Sequence, residues 1–294
     1  MSTDLMLKPA SELAMLIKSR ETSARELLDE AIARYEIFNP TVNAITEIRI
    51  EIARTRALAA DEATAQGESW GPFHGLPVTI KEAYDWVGTP STWGNPEWIN
   101  NFPDTDSPAV ERLLGAGAVI WAKTNVPYML ADWQSFNDIY GCTNNPWDVD
   151  RTPGGSSGGS AVSLATGMAA LEIGSDIGAS IRNPAHYCGV FGHKPTMDLI
   201  PQQGHAAPGV ETVIDIAVVG PLARSAMDLD VALSVLAGPT GLDAAGYRVD
   251  LPNPTRESLD EYRVGVLLDT PACKTATPLI DHLQDTVDQL AGAG

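Results

Sequence analysis

A chain of 294 residues, 44% hydrophobic and 19% charged, has the composition of a soluble globular protein and is long enough for a large core, as one α/β domain or two smaller ones. A formal net charge of -19 argues against a nucleic-acid partner, which needs clustered Lys and Arg, and against docking on anionic membranes. Cys142, Cys188 and Cys273 form no CxxC pair and suit a reducing compartment. The N-terminus lacks a secretory pattern and no run nears the roughly 18 apolar residues of a membrane span, so the chain reads as cytoplasmic.

Ser23 and Glu26 make a capping box, and Leu27, Leu28, Ile32 and Tyr35 follow at helical spacing. A second helical pattern runs from about Ile45 to Gln66, and Gly67 with the segment 71–75 ends it. Residues 1–70 therefore read as a helical arm. Short apolar runs then alternate with helices. Leu76–Lys81 predicts a buried strand ending at a lysine. Loop 86–104 carries Trp86, Trp93, Trp98 and Phe102. Ser107-Pro108 opens a helix through Leu114, and Ala118–Lys123 is the next strand. Residues 150–160 are nearly all Gly and Ser, leading into a small-residue helix over Ser160–Met168 and a strand over Ala170–Ile173.

Further strands are predicted over Asp215–Val219 and Val264–Leu268, with helices from Ser225 to Leu236 and from about Leu279. The loop 200–212, with Pro201, Gly204, Pro208 and Gly209, is a candidate lid. Strands alternating with helices predict an α/β sheet covered on both faces. A strand normally follows such a last helix, so the ending at Gly294 reads as a truncation.

Two segments carry the chemistry. Arg151-Thr152-Pro153-Gly154-Gly155-Ser156-Ser157-Gly158-Gly159-Ser160 holds more glycine than packing alone calls for, and points to unusual backbone geometry or close approach to a ligand. In Gly174-Ser175-Asp176-Ile177-Gly178-Ala179-Ser180-Ile181-Arg182-Asn183-Pro184 a strand runs into a small-residue turn, where successive N–H groups can point one way and hold an oxyanion.

These segments, with Lys81 in LPVTIKEAYD, Lys123-Thr124-Asn125, Tyr187-Cys188-Gly189, Lys194-Pro195-Thr196 and Val219-Gly220-Pro221-Leu222-Ala223-Arg224, resemble the amidase signature family from about residue 10 to the end. The resemblance implies a central mixed β-sheet covered by helices on both faces, in a single domain over 1–294 with the arm over about 1–70, a catalytic core over about 71–294 and the C-terminal part of the family fold missing. It also implies a serine amidohydrolase. Ser180 matches the nucleophile, Ser156 the serine after an unusual cis peptide bond, and Lys81 the base. The N–H groups of Ile177, Gly178, Ala179 and Ser180 match the oxyanion hole. Ala179 stands where the family usually has glycine, which a negative φ would allow.

The chemistry is coherent with those roles. A serine hydroxyl needs a base to take its proton, and burial lowers a lysine from near pKa 10.4 toward a neutral amine. Asp176 and Arg182 read as a pair holding the nucleophile turn, and Ser157, Ser160 and Ser175 as hydroxyls satisfying backbone. His74, His186, His193, His205 and His282 show no metal spacing and read as structural or surface; Cys188 reads as a small buried hydrophobe. No metal or cofactor is implied. Trp86, Trp93 and Trp98, with Tyr128, Met129, Trp133 and Phe136, are candidates for an apolar substrate pocket beside Gly154 and Gly155. The expected substrate is an uncharged amide or carbamate, and the expected state a monomer or homodimer.

Two other readings stay open. Gly154-Gly155-Ser156-Ser157-Gly158 satisfies the G-x-S-x-G elbow of α/β-hydrolases, with Ser156 as nucleophile and His205 or His282 completing a triad. The chain also resembles glutamine-hydrolysing amidotransferase subunits, which act inside a complex.

Overall fold

The computed structural model describes residues 5–210, 212, 214–252, 255–256 and 258–293. Glu211 of the 200–212 loop and the terminal residues 1–4 and 294 lie outside that set. The chain divides into two compact units, Met1–Val249 and Asp250–Gly294, where a single domain was expected.

In chain order the first unit contains α1 (Ala10–Ser19), α2 (Ala24–Val42), β1 (Ile45–Ile48), α3 (Ile50–Gln66), β2 (Pro77–Lys81), α4 (Pro108–Gly115) and β3 (Val119–Thr124). A short hairpin, β4 (Phe136–Asn137) and β5 (Gly141–Cys142), leads to α5 (Gly158–Ala165), β6 (Leu171–Asp176) and α6 (Arg182–Cys188). The unit ends with β7 (Phe191–Gly192), β8 (Val218–Ala223), α7 (Ala226–Leu236) and α8 (Asp243–Gly246).

The local signals act as read. Ser23 accepts from the Glu26 N–H while the Glu26 carboxylate accepts the Ser23 N–H, closing the capping box of α2. Ser107 and Ser225 cap α4 and α7 by accepting the Val110 and Asp228 N–H groups, without a reciprocal bond. One reading fails: β1 precedes α3, where a single helix from Ile45 was expected. The β-branched Ile45, Thr46 and Ile48 favour extended backbone, and β3 offers β1 an antiparallel partner.

Six strands form one mixed sheet in the order β1-β3-β2-β6-β8-β7. β3, β2 and β6 are mutually parallel, with Lys81 opposite Thr124 and Ile80 opposite Ile173, while β8 runs antiparallel to β6. Every residue of β2, β3, β6 and β8 is buried, so both faces are covered. One face is apolar: Val78, Ile80, Leu171 and Ile173 join a core shared with α1 and α2. The other face is polar and meets α5, through hydrogen bonds between Thr79 and Ser163 and between Thr124 and Ser160. Lys81 ends this polar stripe. β8 starts at Val218 rather than Asp215 because its ladder partner β6 stops at Asp176, opposite Val218.

The glycines of the Gly/Ser run correct a second expectation. A Cβ on Gly159 would lie 2.7 Å from the backbone oxygens of Ala44 and Asn125, so this position is glycine for close packing of the protein's own chain. Gly154, at φ +87°, is glycine for its backbone conformation.

The second unit holds a 3-10 turn, Leu259–Glu261, and α9 (Thr277–Gly292). The strand expected over 264–268 is not formed; Val264 and Leu267 are exposed, and among the described residues of this unit no strand lies alongside to complete a hydrogen-bond ladder.

Candidate active site

Lys81, at the C-terminal end of β2, is fully buried. Its Nζ lies 2.6 Å from Ser156 Oγ and 2.9 Å from Ser175 Oγ. Ser156 follows a cis Gly155–Ser156 peptide bond, and the Ser157 N–H donates to the Ser180 carbonyl at 3.0 Å, tying the Gly/Ser run to the turn after β6. Ser175 was read as a backbone-satisfying hydroxyl; it is instead the second partner of Lys81. Ser160 bonds the Thr124 hydroxyl, while Ser157 does bond backbone, at Ser175.

The turn 177–181 is built around one carboxylate. Asp176 accepts N–H bonds from Ala179, Ile181 and Arg182, and its two oxygens receive the Arg182 guanidinium at 3.0 and 2.9 Å. Burial alone would push this carboxyl up, but these bonds together hold it below the usual carboxylate range. The wrap holds Ala179 at φ +79°, so the negative φ that would accommodate alanine in place of glycine is not adopted. It also engages the Ala179 N–H, so that of the four expected oxyanion donors only those of Ile177, Gly178 and Ser180 are free of an acceptor among the described residues. No described side chain hydrogen-bonds the Ser180 hydroxyl, which lines the same cavity as Ser156 and Ser175.

Burial dominates the electrostatics. It brings Lys81 down to about 7, against the opposing pull of Asp176 and Glu172. Burial also raises Glu172 to about 8; one of its oxygens accepts from Thr124 at 2.6 Å and the other has no partner. His205 is pushed down to about 3 by burial and by Lys81, so its ring is neutral at physiological pH. Glu172 was not singled out for this site, and His205 only as a triad candidate of the elbow reading, because their proximity to Lys81 arises only across the sheet and from a returning loop. Cys188 is fully buried, and burial raises its thiol to about 12.

A cavity of about 220 Å³ joins the three serines to walls of Trp93, Met129, Leu130, Ile177, Ile214 and Val218. Of the expected pocket residues, Trp93 and Met129 line it. Tyr128, Trp133 and Phe136 are exposed and do not; the Trp133 indole donates to the Gly178 carbonyl at 2.6 Å. Gly154 and Gly155 lie outside the lining, the first accepting from Ser135 and the second donating to Asn183. Trp86 packs near the Arg49 guanidinium instead. From the loop 200–212, Gln202 and His205 reach the lining. His205, read as structural or surface, is thus a cavity residue; a histidine within that Gly/Pro-rich loop was the available signal. The elbow reading loses its premise, since Trp147–Arg151 is not a strand and, among the described residues, no serine hydrogen-bonds His205 or His282.

Among the described residues, no helix is long and apolar enough to cross a membrane. A model of the family described as Amidase matches residues 26–294. A glutamyl-tRNA(Gln) amidotransferase subunit from Synechococcus sp. (strain CC9902) is 37% identical over 254 residues, covering 85% of this chain and 51% of that protein. The solved structure of a fatty acid amide hydrolase superposes with a TM-score of 0.89 at 28% identity, over 99% of this chain and 52% of that one. A bacterial aryl acylamidase of the amidase signature family gives a TM-score of 0.76 at 30% identity, over 83% and 50%. The chain thus spans about half the length of the relatives it matches. Its mixed sheet, its Gly/Ser run and its match over residues 26–294 place this chain in the amidase signature family.

Proposed function

We propose that the protein hydrolyses the C–N bond of neutral amides or carbamates through an acyl-enzyme on Ser180. The observation that carries this reading is the buried Lys81 amine, 2.6 Å from Ser156 Oγ in a cavity that Ser180 also lines. A neutral amine has a lone pair and two N–H bonds. One N–H goes to Ser175 Oγ, and the lone pair takes a proton from Ser156 Oγ, which in turn takes that of Ser180 as its oxygen attacks the carbonyl. The N–H groups of Ile177, Gly178 and Ser180 face no competing acceptor and are the donors for the oxyanion. Collapse of the tetrahedral adduct breaks the C–N bond, and the proton returns through Ser156 to the leaving amine. Water then repeats the sequence on the acyl-enzyme.

Substrate neutrality follows from the lining. Asp176 is its one charged side chain among the described residues, and Arg182 already neutralises it. A zwitterion such as free glutamine finds no counter-charge there. The test is peptide mapping after reaction with a fluorophosphonate: the adduct should sit on Ser180 and disappear in Ser180→Ala, and an adduct on Ser156 would refute the assignment. A second reading, a glutamine-hydrolysing subunit of a larger assembly, is favoured by the names of the curated relatives. Turnover of glutamine matching that of an acyl anilide would select it.

A further inference from the structure

Two residues of the cavity wall carry polar atoms that the proposed chemistry does not use. Trp93 and His205 are 6% and 8% exposed, and the Trp93 Nε1 and His205 Nε2 atoms are buried without a hydrogen-bond partner among the described residues. Both residues line the cavity with the serines, and their rings approach to 5.2 Å between centroids. Buried polar atoms are nearly always paired, so two orphans on residues that line one cavity are candidate partners for a ligand's polar atoms.

Their placement is enforced rather than incidental. The carboxylate of Glu82, next in sequence to Lys81, accepts the N–H groups of Thr92 and Trp93 at 2.6 and 2.9 Å, and holds Trp93 at φ +55°. His205 is clamped between Trp93 and Tyr84, whose ring centroid is 4.5 Å away, and its backbone N–H donates to the Gln202 carbonyl. The neighbouring polar side chain, Gln202, already spends its Nε2 on the Ala217 carbonyl.

We propose that Trp93 Nε1 and His205 Nε2 form a polar subsite for a second, non-scissile amide group of the substrate, which makes neutral diamides the preferred class. The indole can only donate, and a carbonyl oxygen accepts from it. The imidazole is held neutral, so Nε2 either accepts the amide N–H or donates to the same carbonyl; an amide suits either tautomer. The apolar walls of Met129, Leu130, Ile177, Ile214 and Val218 take the methylenes between the two groups. A simple alkanoyl amide fills the same space but leaves both orphans unpaired, and such loss is what gives a hydrogen-bonding site its selectivity.

This inference rests on the proposed amidase reading. Its test compares p-nitroanilides of acetamido-substituted acids, with the acetamido group two to five carbons from the scissile carbonyl, with alkanoyl anilides of equal length. At least one acetamido substrate should exceed its alkanoyl partner about tenfold in kcat/KM, and that ratio should fall to about one in Trp93→Phe and in His205→Phe. An equal ratio for every pair in the unmodified protein, or a preference that survives in both variants, overturns the subsite. An activity-independent readout is the indole N–H resonance of Trp93, assigned from its loss in Trp93→Phe. It should move downfield with N-methyl adipamide and stay in place with hexanamide; no movement with either also overturns the subsite. Ser180 labelling without diamide preference refutes the subsite alone, whereas absence of Ser180 labelling refutes the amidase reading and the subsite with it.

Discussion

If neutral Lys81 is the base, the reactivity of Ser180 must follow the titration of that amine. With the amine near pKa 7, its neutral fraction rises from about 0.1 at pH 6 to about 0.9 at pH 8. The second-order rate of fluorophosphonate inactivation, read by mass spectrometry at Ser180 over pH 5–9, should therefore rise about tenfold between pH 6 and pH 8 and then level off. Lys81→Met keeps most of the buried volume and removes the base. It should lower the plateau by about 10²–10⁴-fold and abolish the rise.

The same variant reports on stability, with a defined sign. The folded value of Lys81 lies below its ordinary 10.5, so burying it destabilises the fold in full below pH 7 and progressively less between 7 and 10.5. Lys81→Met should accordingly raise Tm more at pH 6 than at pH 9. A rate that is flat from pH 6 to 8, or a rise that persists in Lys81→Met, would refute the role of Lys81.

Three other substitutions, with Gly115→Ala as a control, probe the supports of the site. Ionised Glu172 favours the charged form of Lys81 from across the sheet, but with its own value near 8 it is mostly protonated over the lower part of the rise, so Glu172→Gln should move only the upper part of the same limb to lower pH. Asp176→Asn removes the counter-charge of Arg182 and an acceptor that three backbone N–H groups share. Because Arg182 is half exposed, the expected cost is about 2–3 kcal/mol in urea unfolding, together with loss of Ser180 labelling. Gly159→Ala drives a methyl into backbone of the segments at Ala44 and Asn125 and should cost about 1–3 kcal/mol or more, whereas Gly115→Ala, at the end of α4 with open space around it, should stay within about 1 kcal/mol of the parent.

What was legible in the sequence was what local chemistry decides. The capping residues Ser23, Ser107 and Ser225 start their helices where read, because a cap is a contact between residues three apart. The strand ending at Lys81 and the turn after Asp176 were legible for the same reason: apolar runs and small-residue turns are short-range signals. What required tertiary structure was everything set by partners distant along the chain. β1 is a strand because β3 lies beside it, β8 begins where β6 supplies a partner, and residues 264–268 stay unpaired because no strand accompanies them among the described residues of their unit. Ala179 takes a positive φ because Asp176 and Arg182 close the turn around it. The values of Lys81 and Glu172, and the pairing of Trp93 with His205 in one cavity, arise from burial by segments up to about 120 residues apart, and no local pattern encodes desolvation.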